Sequence, residues 1–290
     1  MAITFAVMSS LCFGIAMIVS RVGLRWIDAR AGAATSIPTA TVLFLLASPF
    51  AFDTSGFTWR AALIFAAIGV FFPALVTMII FRSNELLGPT MTSSISGTAP
   101  LFALIAAGIL LGERIPPHAA LSAIGVVAGV VLLTWRPGSQ RANFNLRALT
   151  WPIAGAVIRG VAQAVIKAAL LAWPHAFSAT VIGYVMSSAT VIGTDRLRPG
   201  GKPKASRTGI AWFMVVGVLN GSAVLLMYLA LNLAPVWQVA PVFATYPLIT
   251  AFLGALILHD EKLTVRIGAG ACITVAAVVY LYLGPALPFF

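Results

Sequence analysis

Positions 208–258 hold fifty-one consecutive residues without a single Asp, Glu, Lys or Arg. A helix needs only about 20 apolar residues to cross a hydrocarbon core about 30 Å thick, so this run must enter a bilayer and turn back. The cluster Asn232-Leu233-Ala234-Pro235 supplies the turn, because proline is tolerated at a helix start and breaks a helix interior. Spans near 210–231 and 235–258 follow. Further uncharged or nearly uncharged runs lie at 2–20, 31–52, 61–81, 86–112, 119–135, 148–172, 176–194 and 264–284. The first reads as an uncleaved span rather than a signal peptide, since Arg21, Arg25 and Arg30 follow the apolar run instead of preceding it. No strand alternation is present, which excludes a β-barrel. The expectation is an all-α polytopic membrane protein of ten transmembrane helices.

Composition removes the alternatives. Only 9% of the residues are charged and 60% are apolar, against roughly 25% charged in a soluble domain. Too little polar surface remains for a soluble enzyme, a disordered tail or a secreted disulfide scaffold. The net charge of +11 raises the question of nucleic acid. The basic residues sit between spans, however, where membrane proteins collect them. The expected partners are therefore the lipid bilayer and a small-molecule substrate, with no nucleic acid; no oligomeric state is implied and a monomer suffices. Cys12 and Cys272 fall in separate apolar runs and read as unpaired thiols.

The two halves repeat each other. Gly14, Ala16, Val19 and Arg21 match Gly160, Ala162, Val165 and Lys167 at a constant offset. Leu87 and Pro89 match Leu233 and Pro235, and Pro100-Leu101 matches Pro247-Leu248. Glu113-Arg114-Ile115 matches Glu261-Lys262-Leu263, and Val130-Val131 matches Val278-Val279. The expected units are 1–136 and 146–290, joined by a linker at 137–145. Five spans per unit is odd, so the second unit enters from the opposite side. Two inverted five-helix repeats of this kind are typical of secondary transporters, with substrate near the midplane between the halves.

These paired landmarks resemble the drug/metabolite transporter superfamily in its ten-helix EamA-type form, over nearly the whole chain. The marks that carry the resemblance are Thr98-Ala99-Pro100-Leu101 through Gly112-Glu113-Arg114 and Tyr246-Pro247-Leu248 through Asp260-Glu261-Lys262. A small-residue helix follows each (Gly125 and Gly129; Gly268 and Gly270), and the basic residue of each first helix, Arg21 and Lys167, fits too. The resemblance implies export or exchange of small solutes by alternating access. It spans amino acids, nucleotide sugars, phosphorylated sugars and drugs, and so leaves the substrate open.

Ten spans put both termini on one face. That face holds Arg60, Arg114 and Lys167; the other holds fourteen Lys and Arg residues, including those of loops 21–30, 136–147 and 195–207. The positive-inside rule places the basic face in the cytoplasm and both termini outside, in a cytoplasmic (inner) membrane. This departs from the resemblance, which suggests cytoplasmic termini.

Arg159 is the sharpest candidate for chemistry. It lies about twelve residues into the 148–172 span, where a charge costs at least ~2.5 kcal/mol and marks a functional site by default. Its counterpart in the first repeat is Phe13. A guanidinium suits carboxylate or phosphate, although bonding to backbone carbonyls would explain it too. Gln163, one turn on, shares its face. Asn220, Trp237, Gln238 and Tyr246, with Met91, Ser94 and Thr98 of the fourth span, complete the expected substrate-binding set. Pro100 and Pro247 mark expected helix breaks. Arg82 and Glu85 form a local pair or, less simply, a gate. Glu113 and Glu261 read as structural, and Lys167 and Arg21 as snorkelling to opposite faces. The glycine pairs read as close-packing surfaces.

No acid falls mid-span, which argues against a proton-coupled exporter of cationic drugs and leaves the coupling unexplained. Neither a metal site nor a cofactor is expected: His118, His175 and His259 lie apart near span ends, without ligand spacing. Paired acids or a nucleophile at depth are missing as well, so no enzyme is expected. The function read from the residues is transport of a small anionic or zwitterionic metabolite, such as an amino acid or organic acid. The alternative is a multidrug exporter of neutral or hydrophobic compounds.

Overall fold

The computed structural model describes residues 1–134, 146–197, 206–258 and 265–283. Arg136, Arg141, Arg198, Lys202, Lys204, the linker 137–145 and the His259–Lys262 turn lie outside them, as do the side chains of Asp195 and Arg196. Within them every regular element is helical. The ten spans are α1 (Ala2–Gly23), α2 (Ala29–Ala51), α3 and α4 (Trp59–Gly69 and Val76–Leu87), α5 and α6 (Pro89–Ser96 and Ala99–Leu111), α7 (Pro117–Thr134), α8 (Thr150–Ala172), α9 (Ala176–Leu197), α10 (Arg207–Leu233), α11 and α12 (Val236–Phe243 and Tyr246–Leu253), and α13 (Val265–Leu283).

Helix ends follow local chemistry. The Asp28 side chain accepts the Ala31 N–H at 2.7 Å and starts α2, and Ser206 accepts the Gly209 N–H at 3.0 Å and starts α10. Gly112 ends α6 at φ 62°, a left-handed conformation that suits a residue without a Cβ. The fourth span breaks at Gly97-Thr98 and the ninth at Ala244-Thr245, each two to three residues before its proline. Pro100 and Pro247 thus sit in the first turn of α6 and α12, where a missing N–H costs nothing. The third span holds a break that the charge pattern did not reveal. Phe72 is extended at φ −136°, ψ 120°, ahead of a cis peptide to Pro73, between α3 and α4.

Large apolar side chains face outward, as lipid solvent permits: Phe50 is 92% exposed and Ile109 77%. Inside, small and polar residues such as Ser9, Ser20, Asn84, Arg159 and Gln163 are buried alongside aromatic ones such as Phe65 and Trp173. Lipid tails are as apolar as leucine, so helices associate through close backbone approach and buried hydrogen bonds. Glycines sit where the spans cross. A Cβ on Gly14 would fall 2.9 Å from the Tyr246 carbonyl oxygen, and one on Gly160 2.6 Å from that of Ala99. These two contacts are equivalent, since Ala99 and Tyr246 each precede the proline of a broken span. α7 crosses α13 in the same manner, with Gly129 2.8 Å by that measure from the Gly270 carbonyl. Gly268, expected to share this seam, has nothing within 4 Å and faces away.

The two repeats are interleaved. α1 lies along α10, α8 along α6, α2 along α9 and α10, and α7 along α13. Each of these pairs joins one repeat to the other.

At the face where α1 begins, the connections clasp one another. Trp173 is fully buried and its indole N–H donates to the Ser55 carbonyl at 3.0 Å. Ser178 accepts the Asp53 N–H and donates to the Asp53 carbonyl, both at 2.9 Å. His175 lies 3.4 Å from the Asp53 carboxylate and 3.1 Å from the Ser55 hydroxyl. Glu113 accepts the Val236 N–H at 3.2 Å across the repeat boundary, which bears on its structural reading. Lys167 does not reach out to water: it is 9% exposed and donates to the Leu231 carbonyl, 2.8 Å away at the end of α10. The partial negative charge at a helix C-terminus favours an ammonium there. Cys12 is half-buried, Cys272 exposed, and both are free.

Two predictions follow from this packing. Gly129→Val should lower stability by about 1–3 kcal/mol, the usual effect of forced volume, while Gly268→Val should be near neutral; thermal unfolding in detergent compares them. The Ser55 backbone N–H, then its hydroxyl and His175, hold the Asp53 carboxyl below the usual carboxylate range. A depressed pKa contributes stability above the unfolded value and loses it as pH falls through the folded one. The 52–58 loop should therefore keep its hydrogen-exchange protection down to about pH 4 and lose it only below.

Candidate functional site

Position 159 in the second repeat is equivalent to position 13 in the first, and the two side chains touch. The Arg159 guanidinium carbon stands 4.4 Å from the centre of the Phe13 ring. Equivalent positions of two inverted repeats meet only at the axis that relates them, so Arg159 lies at the molecular centre. Two further rings close around it, Tyr246 at 5.5 Å and Phe243 at 5.8 Å. The rings also hold each other: Phe13 meets Tyr246 edge-on at 4.8 Å and Phe243 at 5.8 Å. Phe243 ends α11 and Tyr246 begins α12, so the break of the ninth span wraps this box around the cation.

Arg159 is 1% exposed, and its Nε and Nη1 have no hydrogen-bond partner among the described residues. A desolvated cation–π contact is worth about 2 kcal/mol, comparable to the ~2.5 kcal/mol or more that a mid-membrane charge costs. The rings can thus make the charge tolerable, but they do not neutralise it. The alternative of an arginine satisfied by backbone carbonyls finds no such bond at these two nitrogens.

Beside Arg159 opens a narrow, partly open cavity. Phe13 and Met17 of α1 line it, with Phe72, Pro73, Val76 and Ile80 at the break of the third span. Its polar lining consists of Arg159, Asn220, Tyr184 and Thr77, without an acid. Asn220 Oδ1 and Gln163 Oε1 are shut from solvent and have no partner among the described residues, as is the case for the Ser96 hydroxyl. The Tyr246 hydroxyl donates to the Ser93 carbonyl at 3.3 Å, at the end of α5.

The structure therefore brings Arg159, Asn220 and Tyr246 to the centre, with Gln163 on the same face of α8. It does not bring Trp237 and Gln238 there. Trp237 packs on the His118 ring at 5.8 Å, and the Gln238 carbonyl accepts from Tyr282 at 3.0 Å, near the α1-start face. Met91 is 36% exposed; Ser94 is buried; the Thr98 hydroxyl is spent on the Ile95 carbonyl at 2.7 Å. Arg82 and Glu85 pair at 2.5 Å within α4, both partly exposed, and bridge no second helix. Phe243, Tyr184, Ser96 and Phe72 escaped the sequence reading, and Phe13 was noted there without being counted in the substrate-binding set. For Phe13 a signal existed, because it is the repeat counterpart of Arg159. Among the described residues no three potential metal ligands gather.

The model of the EamA-like transporter family matches this chain twice, over residues 1–135 and 146–283. A solved structure, described only as a crystal structure of a protein, has the same fold: TM-score 0.78, 14% identity, covering 97% of this chain and 96% of that one. No curated protein matches.

Because the nearest ring carries the strongest contact, Phe13→Leu should destabilise more than Phe243→Leu, by about 1–2 kcal/mol against less than 1. Thermal unfolding of the two variants in detergent checks the order.

Proposed function

Because the chain belongs to the EamA-like transporter family, we propose that it carries a small anionic or zwitterionic metabolite, an amino acid or organic acid, across the membrane by alternating access. The observation that carries this reading is the buried, acid-free guanidinium of Arg159 with two unpartnered nitrogens. A charge buried without a counter-ion is strongly destabilising unless something pairs with it. A substrate carboxylate would supply that charge and take charge-assisted hydrogen bonds from the planar fork. Asn220 and Gln163 would orient the remainder of the molecule.

The interleaved repeats support rocking about this centre. The broken spans end beside Arg159, so a shift of α11 and α12 changes the Phe243–Tyr246 box and hence the hold on a bound anion. We further propose that transport is export or exchange, that the membrane is the cytoplasmic one, and that both termini lie outside, from the fourteen-to-three distribution of basic residues. The apolar lining at Phe13, Met17, Phe72, Val76 and Ile80 favours a second reading, a multidrug exporter of neutral or hydrophobic compounds.

A thermal-shift screen of the purified protein with amino acids, organic acids, sugar phosphates, nucleobases and lipophilic cations separates the two. A ligand at 100 times its Kd adds about 2.7 kcal/mol when it binds only the folded state. The expected result is stabilisation by a carboxylate, lost in Arg159→Gln, with the variant otherwise folded. Stabilisation by lipophilic compounds alone, unchanged in Arg159→Gln, would instead establish the drug exporter.

A further inference from the structure

The unpartnered atoms at the centre are of two kinds. Arg159 offers donors at Nε and Nη1, while Asn220 Oδ1 and Gln163 Oε1 are acceptors. A plain carboxylate would satisfy the first kind and leave the second empty, since it has no hydrogen to give. Buried acceptors without a donor are costly, and native structures rarely leave them so. Of the two amides, Asn220 shares the cavity wall with Arg159. Its side-chain amide can turn either its oxygen or its nitrogen inward, so it can meet a donor on a ligand that Arg159 already holds.

The rest of the wall restricts the ligand further. Beyond Arg159, Asn220, Tyr184 and Thr77, every lining side chain is apolar. Lys167, the other buried cation among the described residues, is engaged elsewhere by the Leu231 carbonyl. A second carboxylate or a phosphate dianion would therefore find one cation and an apolar surface. Sugar hydroxyls would face carbon, and each polar group buried without a partner opposes binding.

We infer that the substrate is a carboxylic acid with a hydrogen-bond donor on the carbon beside the carboxylate, an amino or a hydroxyl group, and an apolar remainder. Arg159 takes the carboxylate, Asn220 takes the donor, and the Phe72–Ile80 wall takes the apolar body. This rests on the anchoring role proposed above for Arg159 and narrows the substrate class of that site. The amino and hydroxyl forms share their recognition chemistry, and the experiment distinguishes them.

The test is ligand binding to the purified full-length protein in detergent, read as Kd from calorimetry or thermal shift. The probes are L-leucine, 2-hydroxy-4-methylpentanoate, 4-methylpentanoate, isopentylamine, isopentanol, L-serine, malate and glucose 6-phosphate. They separate the donor, the carboxylate and the apolar body one at a time. L-leucine or its hydroxy analogue should bind best, and the stronger of the two identifies the donor. 4-Methylpentanoate, which lacks only the donor, should bind about five- to tenfold more weakly, the worth of one hydrogen bond. In Asn220→Leu, which keeps the branched shape and removes the amide, that difference should disappear. A merely structural asparagine would weaken all ligands together and leave the ratio unchanged.

Equal binding of L-leucine and 4-methylpentanoate to the wild-type protein overturns the inference, as does a donor preference that survives Asn220→Leu. Preference for malate or glucose 6-phosphate, abolished in Arg159→Gln, overturns it while leaving the arginine anchor standing. Isopentanol or isopentylamine binding equally well to the wild type and Arg159→Gln removes both. A monodisperse protein that binds none of the leucine series also overturns it.

Discussion

Two glycines allow the first span of each repeat to press its backbone onto the broken span of the other. A Cβ at Gly14 or Gly160 would strike the carbonyl of Tyr246 or Ala99, so any larger residue would push the repeats apart. In lipid, where apolar surface gains nothing by meeting apolar surface, this approach is what holds the halves together. It also decides where their side chains meet. The residue before each glycine, Phe13 or Arg159, is carried to the common axis, and there one stacks on the other.

The broken spans depend on the same contact. A helix interrupted in the hydrocarbon region would expose backbone groups that water cannot satisfy, and such breaks survive only when protein covers them or when they border a cavity. At Gly97-Thr98 the freed groups are covered by α8, and at Ala244-Thr245 by α1. The breaks in turn deliver Phe243 and Tyr246 to Arg159. Packing, the interrupted helices and the cationic centre thus form a single arrangement, which is why a site with so few polar groups can hold a charge in the middle of a membrane.

Much of this was legible as pattern. Charge spacing gave span positions close to the helices observed, because a charged residue rarely enters hydrocarbon. The Pro100 and Pro247 landmarks pointed to breaks close to where they occur, since proline fixes helix starts. The break at Phe72 was missed although Pro73 was visible, because a lone proline inside an apolar run signals a bend no more than a tolerated kink. Candidates chosen by helical spacing fared unevenly. Gln163 followed from sharing a face with Arg159, whereas Met91 faces outward and Thr98 bonds its own helix. Trp237 and Gln238 were drawn in by proximity to Pro241 along the chain, but they open α11 beside His118 and Tyr282, and it is the far end of that helix, at Phe243, that reaches Arg159.

The sequence by itself determined the all-helical membrane class, the inverted repeat and the presence of a cation at mid-depth, because these depend on hydropathy, parity and position along a helix. Only the tertiary structure decided that the cation would be boxed by aromatic rings and left without an acid, that Asn220 would share its cavity, and that Lys167 would cap α10. These depend on which helix faces meet. That is set by a few ångströms of backbone approach between residues more than a hundred positions apart, a distance over which local pattern carries no information.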